Sequence, residues 1–70
     1  MEINIGDKIQ YTFPNPDKAS NKFVLGTVEF INEFFIVIIT DEKVKIKINF
    51  KNFDKILNLE TGKTVYIKAV

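Results

Sequence analysis

Residues 22–50 read KFVLGTVEFI, NE, FFIVIIT, DE and KVKIKINF, which is three strongly apolar or alternating runs separated by two short polar breaks. The runs cover residues 22–31, 34–40 and 43–50. Each run is rich in β-branched and aromatic residues, which favour strands. The breaks, Asn32-Glu33 and Asp41-Glu42, have the length of tight hairpin loops, which join antiparallel neighbours. The stretch therefore predicts three consecutive antiparallel strands.

A register follows if both breaks close as two-residue loops. Val28 then opposes Val37, and Val37 opposes Ile46. One face of the predicted sheet is wholly apolar and comprises Gly26, Val28, Phe30, Phe35, Val37, Ile39, Val44, Ile46 and Ile48. The opposite face comprises Thr27, Glu29, Phe34, Ile36, Ile38, Lys45, Lys47 and Asn49. A slip of one residue in either hairpin is expected to bring Lys45 and Lys47 into the core, which is costly.

Length and composition bound the class of protein. A chain of 70 residues makes one small domain, which we expect to span residues 1–70. The chain has no cysteine and no histidine, so neither a disulfide nor a metal site built from the usual ligands stabilises it, and we expect no cofactor. An apolar content of 46% with seven phenylalanines is sufficient for a β-sheet core to hold the fold unaided.

Charge and hydropathy indicate a cytoplasmic protein without a membrane partner. No apolar run reaches the ~18 residues that a membrane span requires, and the first residues, MEINIGDK, lack the features of a signal peptide. The absence of cysteine fits the cytoplasm. The net charge of +1 predicts no strong global attraction to nucleic acid, and all ten basic residues are lysines, whereas arginine is the usual reader of phosphates and bases.

The flanking segments add two or three more strands. Residues 8–13, KIQYTF, alternate so that Ile9, Tyr11 and Phe13 share one face. Residues 14–21 hold both prolines and predict an exposed, mobile loop. Residues 52–59 are open to two interpretations, a helical turn with Asn52 as its N-cap or a short strand. After a turn at residues 60–63, TVYIKAV at 64–70 predicts a final strand.

This order of elements predicts an all-β fold, a small five- or six-stranded SH3-like barrel with at most one short helical turn. The segments IGDKIQY at 5–11, LGTVEFI at 25–31 and FFIVIIT at 34–40 resemble small bacterial SH3-like and Tudor-like domains, in which a Gly-Asp pair opens the first strand and Gly-x-Val opens the second. Residues 35–56 also resemble the second half of the Veg family of small bacterial proteins. The Gly- and Arg-rich basic stretch expected of that family is absent, so no functional residue is carried over.

No set of side chains predicts catalysis. The carboxylates fall in predicted turns or loops, which indicates ordinary solvated side chains: Asp7, Asp17, Glu33, Asp41, Glu42, Asp54 and Glu60. Ser20 is the only serine, and without histidine it has no usual activating base. The acidic pair at 41–42 lacks the spacing of a calcium loop. We therefore expect a non-enzymatic protein.

An apolar stripe on the outer face of the middle run is the main functional candidate. Phe34, Ile36 and Ile38 are predicted to point away from the core, with Glu29, Lys45 and Lys47 as a polar rim. Such a stripe predicts a contact with a protein partner or with a second copy of the chain. The alternative is that the first five residues and the last strand cover it, as small barrels wrap tightly.

Nucleic acid is the alternative partner. Lys43, Lys45, Lys47 and Lys51 lie along one predicted strand and its ends, and Phe34 is expected near Asn49, where it could stack a base. A lysine-lined edge also discourages edge-to-edge aggregation, which needs no ligand. A further hypothesis is an aromatic cage for methylated lysine that would use the two tyrosines, Tyr11 and Tyr66.

Overall fold

The computed structural model describes residues 3–13, 22–51 and 53–68 of the chain. These residues form six strands, which are β1 Lys8–Thr12, β2 Phe23–Ile31, β3 Phe35–Ile39, β4 Lys45–Asn49, β5 Phe53–Asn58 and β6 Thr64–Lys68. All neighbours are antiparallel, and the sheet order is β4-β3-β2-β1-β5-β6. The described residues contain no helix, so the prediction of an all-β fold is confirmed.

Some predicted features lie outside the described residues. They are the loop at 14–21, the N-cap at Asn52, the contribution of Met1 to a cover, and the last two positions of the final strand. The SH3-like assignment stays a prediction.

Residues 53–58 form a strand, which decides between the two interpretations of this segment. The burial of Asp54, Ile56 and Asn58 alternates with greater exposure of Lys55 and Leu57, which is the period of a strand. β5 lies between β1 and β6 and pairs with both. Two ladders of backbone hydrogen bonds therefore outweigh the weak local spacing that favours a helical turn.

One hydrophobic core serves the whole sheet. Its buried members are Ile3, Ile9, Tyr11, Val28, Ile36, Ile38, Ile48, Phe50, Ile56 and Ile67. Ile48 belongs to β4 and Ile67 to β6, the two edge strands of the described sheet, so the sheet curls until its edges share one interior. Ile9 and Tyr11 are fully buried, and Phe13 packs against the core, which confirms the predicted face of the first strand.

The predicted register of β3 is wrong. Val28 pairs with Ile38, not with Val37, and Ile38 in turn pairs with Ile46. Ile36 and Ile38 have no exposed surface, whereas Val37 lies on the outer face opposite Lys47. The inward side of β4 is as predicted, with Ile48 buried and Ile46 packed against the core. β3 presents the opposite side to the core. The predictions that Phe30 and Val44 face the core are also wrong, because Phe30 lies beyond the β2 bulge on the outer face and Val44 is 53% exposed.

The first reason is the turn between β2 and β3. The Asn32 side-chain Oδ1 accepts hydrogen bonds from the backbone N–H groups of Phe34 (2.8 Å) and Phe35 (2.9 Å). The Asn32 N–H donates to the Phe35 carbonyl at 3.0 Å. Asparagine thus starts the turn, as its side chain favours, and the loop is Glu33-Phe34. The loop lies one residue later than predicted, which changes the partner of Phe30 from Phe35 to Val37 but leaves all three residues on one face.

The second reason is the turn between β3 and β4. The Thr40 N–H donates to the Val44 carbonyl at 3.0 Å, so the loop has three residues, Asp41 to Lys43, rather than two. Lys43 adopts a left-handed backbone with φ of 67°. A favoured two-residue loop demands positive φ at one or both central positions, and neither Asp41 nor Glu42 adopts it. The extra residue keeps Lys45 and Lys47 outside although β3 has turned over.

A bulge in β2 turns β3 over relative to the inward residues of β2. The pairing shifts between Val28 and Phe30, so that Glu29 is the extra residue. Gly26 lies where β2 and β3 approach closely, because a Cβ atom there would stand 3.0 Å from the Ile38 Cδ1 atom and from the Ile39 carbonyl oxygen. Inward-facing Val28 and Gly26 thereby both lie beside Ile38.

Adjacent substitutions in β3 test this register. Ile38→Ala should lower the free energy of unfolding by about 2–5 kcal/mol, because it leaves a cavity in the core. Ile39→Ala, the matched control on the outer face, should cost less than about 1.5 kcal/mol, because this side chain is only partly buried. Urea unfolding of both variants measures the difference. Equal losses, or a larger loss for Ile39→Ala, would contradict the observed register.

Candidate interaction surface

Four apolar side chains form a continuous group on the outer face of β2 and β3. This outer patch consists of Phe30, Phe35, Val37 and Ile39. Phe30 pairs directly with Val37, and the rings of Phe30 and Phe35 have centroids 5.6 Å apart. Phe30 is 46% exposed, and the other three are partly buried. The patch therefore presents aromatic and branched aliphatic surface on the side of the sheet that faces away from the core.

Charged side chains surround and partly cover the outer patch. Lys45 Nζ lies 3.0 Å from Glu29 Oε1, so an ion pair connects β4 with β2 across β3. Lys47 Nζ stands 4.4 Å from the ring centroid of Phe35, within range of a cation–π interaction. The aliphatic stems of such lysines shield apolar surface, which accounts for the partial burial of the strand below them.

The stripe predicted from the sequence is wrong in two of its three members. Ile36 and Ile38 are core residues and belong to the same buried cluster as Ile3 and Ile67. Phe34 is 61% exposed at the tip of the hairpin. The rim residues Glu29, Lys45 and Lys47 do lie on the outer face, as predicted, while their binding role stays a prediction.

Sequence reasoning missed the true members of the patch because β3 is apolar on both faces. The apolar sequence of this strand therefore does not show which of its two sides faces the core. Asn32 signals where the turn begins, because its side chain favours the first position of a turn. That turn alone would keep Phe30, Phe35 and Val37 on the same side as Val28, and it is the bulge at Glu29 that moves them to the outer face.

The four lysines of the nucleic-acid hypothesis lie along β4 and its ends. Lys45 and Lys47 are on the outer face of β4, Lys43 is in the preceding loop and Lys51 follows the strand, and all four are exposed. The aromatic residue paired with Asn49 is Phe35, so the prediction that Phe34 occupies this place is wrong. The lysine row and the aromatic pair are therefore neighbours on one surface.

A buried carboxylate corrects the prediction that all acidic residues are solvated. Asp54 has no exposed surface; its Oδ1 accepts a hydrogen bond from the Tyr11 hydroxyl and its Oδ2 accepts one from the Lys51 N–H. Burial raises the pKa of the Tyr11 hydroxyl above its ordinary value, and the hydrogen bond to Asp54 and that carboxylate's charge add to the rise. Both groups lie in the core, where they link β1 to β5.

The two tyrosines do not form one site. Tyr11 faces the core, whereas Tyr66 lies on the outer face of β6 beside Lys55 and is 69% exposed. The hypothesis of an aromatic cage built from both is therefore wrong, because the sheet separates the two rings.

A second polar junction holds the N-terminal turn against β5. Asn58 is buried, and its Nδ2 donates to Asp7 Oδ2 at 3.0 Å. The same Asp7 oxygen accepts a hydrogen bond from the Asn4 N–H at 2.9 Å, and Asn58 Oδ1 accepts one from the Glu60 N–H at 2.8 Å. This network has the form of a structural clamp around two turns, not of a reactive site.

The rest of the surface gives no further chemistry. Among residues 3–13, 22–51 and 53–68, no group of three or more histidine, cysteine or acidic residues could hold a metal ion. The same ranges contain no helix with the length and apolarity to cross a membrane.

No family model, curated protein or solved structure matches the chain. The SH3-like, Tudor-like and Veg resemblances stay predictions.

The Tyr11–Asp54 pair predicts a specific loss of stability at alkaline pH. The folded chain holds the Tyr11 proton more tightly than the unfolded chain, whose tyrosine has a pKa of about 10. This stabilisation is fully present below that pH and is lost as the pH rises above it, by up to about 1.4 kcal/mol per pH unit. Tyr11→Phe should remove this pH-dependent part of the free energy of unfolding. At neutral pH it should lower the free energy of unfolding by about 1–3 kcal/mol, because Asp54 loses its hydrogen-bond partner.

Urea unfolding between neutral pH and the alkaline range checks this expectation. The stability difference between the native chain and Tyr11→Phe should shrink above about pH 10, the unfolded pKa. Tyr66→Phe, at an exposed position, serves as the control and should retain the native alkaline loss. A difference between the native chain and Tyr11→Phe that stays constant with pH would contradict the account of this pair.

Proposed function

We propose that this protein is a non-enzymatic interaction module that binds another protein, or a second copy of itself, through the outer patch. The observation that carries the proposal is the continuous apolar surface of Phe30, Phe35, Val37 and Ile39 on the face turned away from the core. Contiguous exposed apolar area on a small protein commonly marks an interface. The surrounding Glu29, Lys45 and Lys47 give the polar rim that interfaces usually have.

Burial in the core does not explain why the residues of the outer patch are apolar. The solvated face of an antiparallel sheet normally carries polar residues, and β1 follows this rule with Lys8, Gln10 and Thr12 outside. β3, by contrast, carries only apolar residues on both sides. Its inner residues fill the core, while its outer residues do not reach it. A contact with a partner gives the outer residues a role that folding alone does not.

A second copy is a chemically suitable occupant of the outer patch. The rim carries both signs of charge, with Glu29 on one side of β3 and Lys45 and Lys47 on the other. In a two-fold dimer each surface meets the same surface of its partner. Lys47 of one copy can therefore approach Glu29 of the other while the apolar residues meet at the centre.

The absence of catalytic residue types supports a non-enzymatic role and a cytoplasmic location. The chain has no histidine and no cysteine, and the buried carboxylate of Asp54 is already engaged by Tyr11 and Lys51. Asp7 is engaged by Asn58 and Asn4. A protein that relies on no disulfide has no need of an oxidising compartment.

Native mass tests the proposal directly. The native chain should form a dimer, as measured by analytical ultracentrifugation over a range of concentrations. Val37→Lys should yield a folded monomer, because it places an unpaired charge in a desolvated contact, while in the monomer the long side chain can reach solvent. Ile36→Lys is unsuitable for this purpose, because Ile36 is buried and its charge would unfold the chain.

Thr64→Lys is the matched control, since it adds the same charge at an exposed position of β6. It should leave the dimer intact. A native chain that stays monomeric up to about millimolar concentration would exclude a second copy as the occupant. An unfolded Val37→Lys chain would show that Val37 is structural and would contradict the assignment of the outer patch as an interface.

Single-stranded nucleic acid is the second candidate, and one observation favours it. Phe30 and Phe35 form an aromatic pair on the sheet surface, and Lys47 stands over one of the rings. Aromatic platforms beside lysines stack bases and neutralise phosphates in single-strand binders. Against this candidate, Glu29 pairs with Lys45 on the same surface, and the net charge is only +1.

Salt dependence separates the two candidates. We expect binding of unstructured RNA or DNA to be no tighter than about micromolar at physiological salt. If it occurs, joint replacement of Lys43, Lys45 and Lys47 by Gln should lower affinity and reduce the slope of log K against log salt by about 2. The control replaces Lys22, Lys55 and Lys63, which lie outside β4 and its loops. Nanomolar, sequence-selective binding would overturn the preference for a protein partner.

A further inference from the structure

The backbone bonds at both ends of the β3–β4 pair establish which residues of β4 face β3. The Val44 carbonyl accepts from the Thr40 N–H at 3.0 Å, and the Phe50 N–H donates to the Phe34 carbonyl at 2.8 Å. In an antiparallel ladder, residues that exchange such bonds recur at every second position. The residues of β4 and its ends that direct their backbone N–H and C=O groups towards β3 are therefore Val44, Ile46, Ile48 and Phe50.

The intervening residues of β4 direct their backbone groups away from β3. These residues are Lys45, Lys47 and Asn49. Within the described ranges β4 is an edge of the sheet, and no second strand pairs with it. Their N–H and C=O groups therefore form a free row that another extended segment could bind, as in strand addition to a sheet edge.

The side chains along this edge define the chemistry of a suitable segment. Lys45 and Lys47 project on the outer face, and Lys43 and Lys51 are exposed at the two ends of the strand. The one ion pair that the described residues form with these lysines joins Lys45 to Glu29. Because directly opposed residues of neighbouring strands share a face, acidic residues of an added strand would lie beside Lys45 and Lys47.

The alternate positions of an added strand would lie on the inner side. There β4 offers Ile46, which is only partly buried, and the adjacent Val44, which is 53% exposed. Apolar residues of the added strand would cover the exposed parts of these two side chains. An added strand that alternates acidic and apolar residues thus complements both sides of the edge.

A second copy does not fit this edge. Pairing of β4 with β4 of another copy would bring lysine against lysine, which is unfavourable in directly opposed strands. The other edge of the described sheet is β6, whose sequence TVYIK contains no acidic residue. Neither arrangement supplies the carboxylates that the lysine row would bind.

We propose that the free edge of β4 binds an extended segment of another protein as an added strand, in which acidic residues alternate with apolar ones. This inference rests on the proposed function, since it names the chemistry of a protein partner, but it uses the edge of the sheet rather than the outer patch. The two can therefore fail separately.

The probe is a blocked peptide that alternates glutamate and valine, and two further peptides serve as controls. One control carries lysine in place of glutamate, and the other has the same composition in an order without alternation. Only the alternating acidic peptide should bind, as measured by calorimetry. In backbone hydrogen exchange it should protect the amides of Lys45, Lys47 and Asn49, while the amides of β6 should be unaffected.

Lys47→Pro tests the edge itself. Its N–H points outward, so proline removes the free donor without breaking the ladder to β3, a position that sheets tolerate. Affinity for the peptide should fall about tenfold, because the variant loses one backbone hydrogen bond together with the charge of the lysine. Lys47→Gln, which keeps the donor and loses only the charge, should weaken binding less than Lys47→Pro.

Phe30→Gln separates this inference from the proposed function. It alters the outer patch on β2, which does not pair with β4, so peptide binding at the edge should persist whether or not the outer patch forms an interface. Failure of the alternating acidic peptide to bind would overturn the inference. Equal binding to native chain and Lys47→Pro, or protection confined to β6, would overturn it as well.

Discussion

The structure depends on the backbone geometry around β3, which consists of the bulge in β2 and the turns at the two ends of β3. The Asn32 side chain caps the first turn by accepting two backbone N–H bonds, and Lys43 takes a left-handed conformation in the second. The bulge at Glu29 decides which side of β3 faces the core, and the three-residue second turn keeps the lysines of β4 outside. The hydrophobic effect alone does not decide it, because either side of this strand is apolar enough to be buried.

This division of roles explains how much the sequence could predict. The existence of β1 to β4, the inward residues Ile9, Tyr11 and Ile48, and the outward lysines of β4 follow from alternation, because polar residues mark one side. The orientation of β3 could not follow from alternation, since FIVII has no polar residue. It was decided by the bulge at Glu29, while a second loop one residue longer than expected kept the lysines of β4 outside. The burial of Asp54 was missed because this carboxylate lies within the segment whose secondary structure the sequence left open.

The consequence for function is a change of residues within the same kind of surface. Turning β3 over moves Ile36 and Ile38 into the core and brings Val37 and Ile39 outside, next to Phe30. The rim of Glu29, Lys45 and Lys47 stays in place, because β4 keeps its outward side and Glu29, the extra residue of the bulge, pairs with Lys45 on the outer face. The edge of β4 adds a second surface with different chemistry, in which backbone groups and lysines replace apolar contact. Both surfaces exist only because β3 and β4 pair in the observed register.

The register of β3 against β4 is therefore the central claim, and nuclear Overhauser contacts between Hα protons test it most directly. In antiparallel strands, the Hα protons of opposed residues approach closely only at positions that do not exchange hydrogen bonds. The structure places Val37 opposite Lys47 and Ile39 opposite Lys45 at such positions. Strong contacts between the Hα protons of these two pairs are the predicted result. A strong contact between the Hα protons of Val37 and Ile46 would contradict the account.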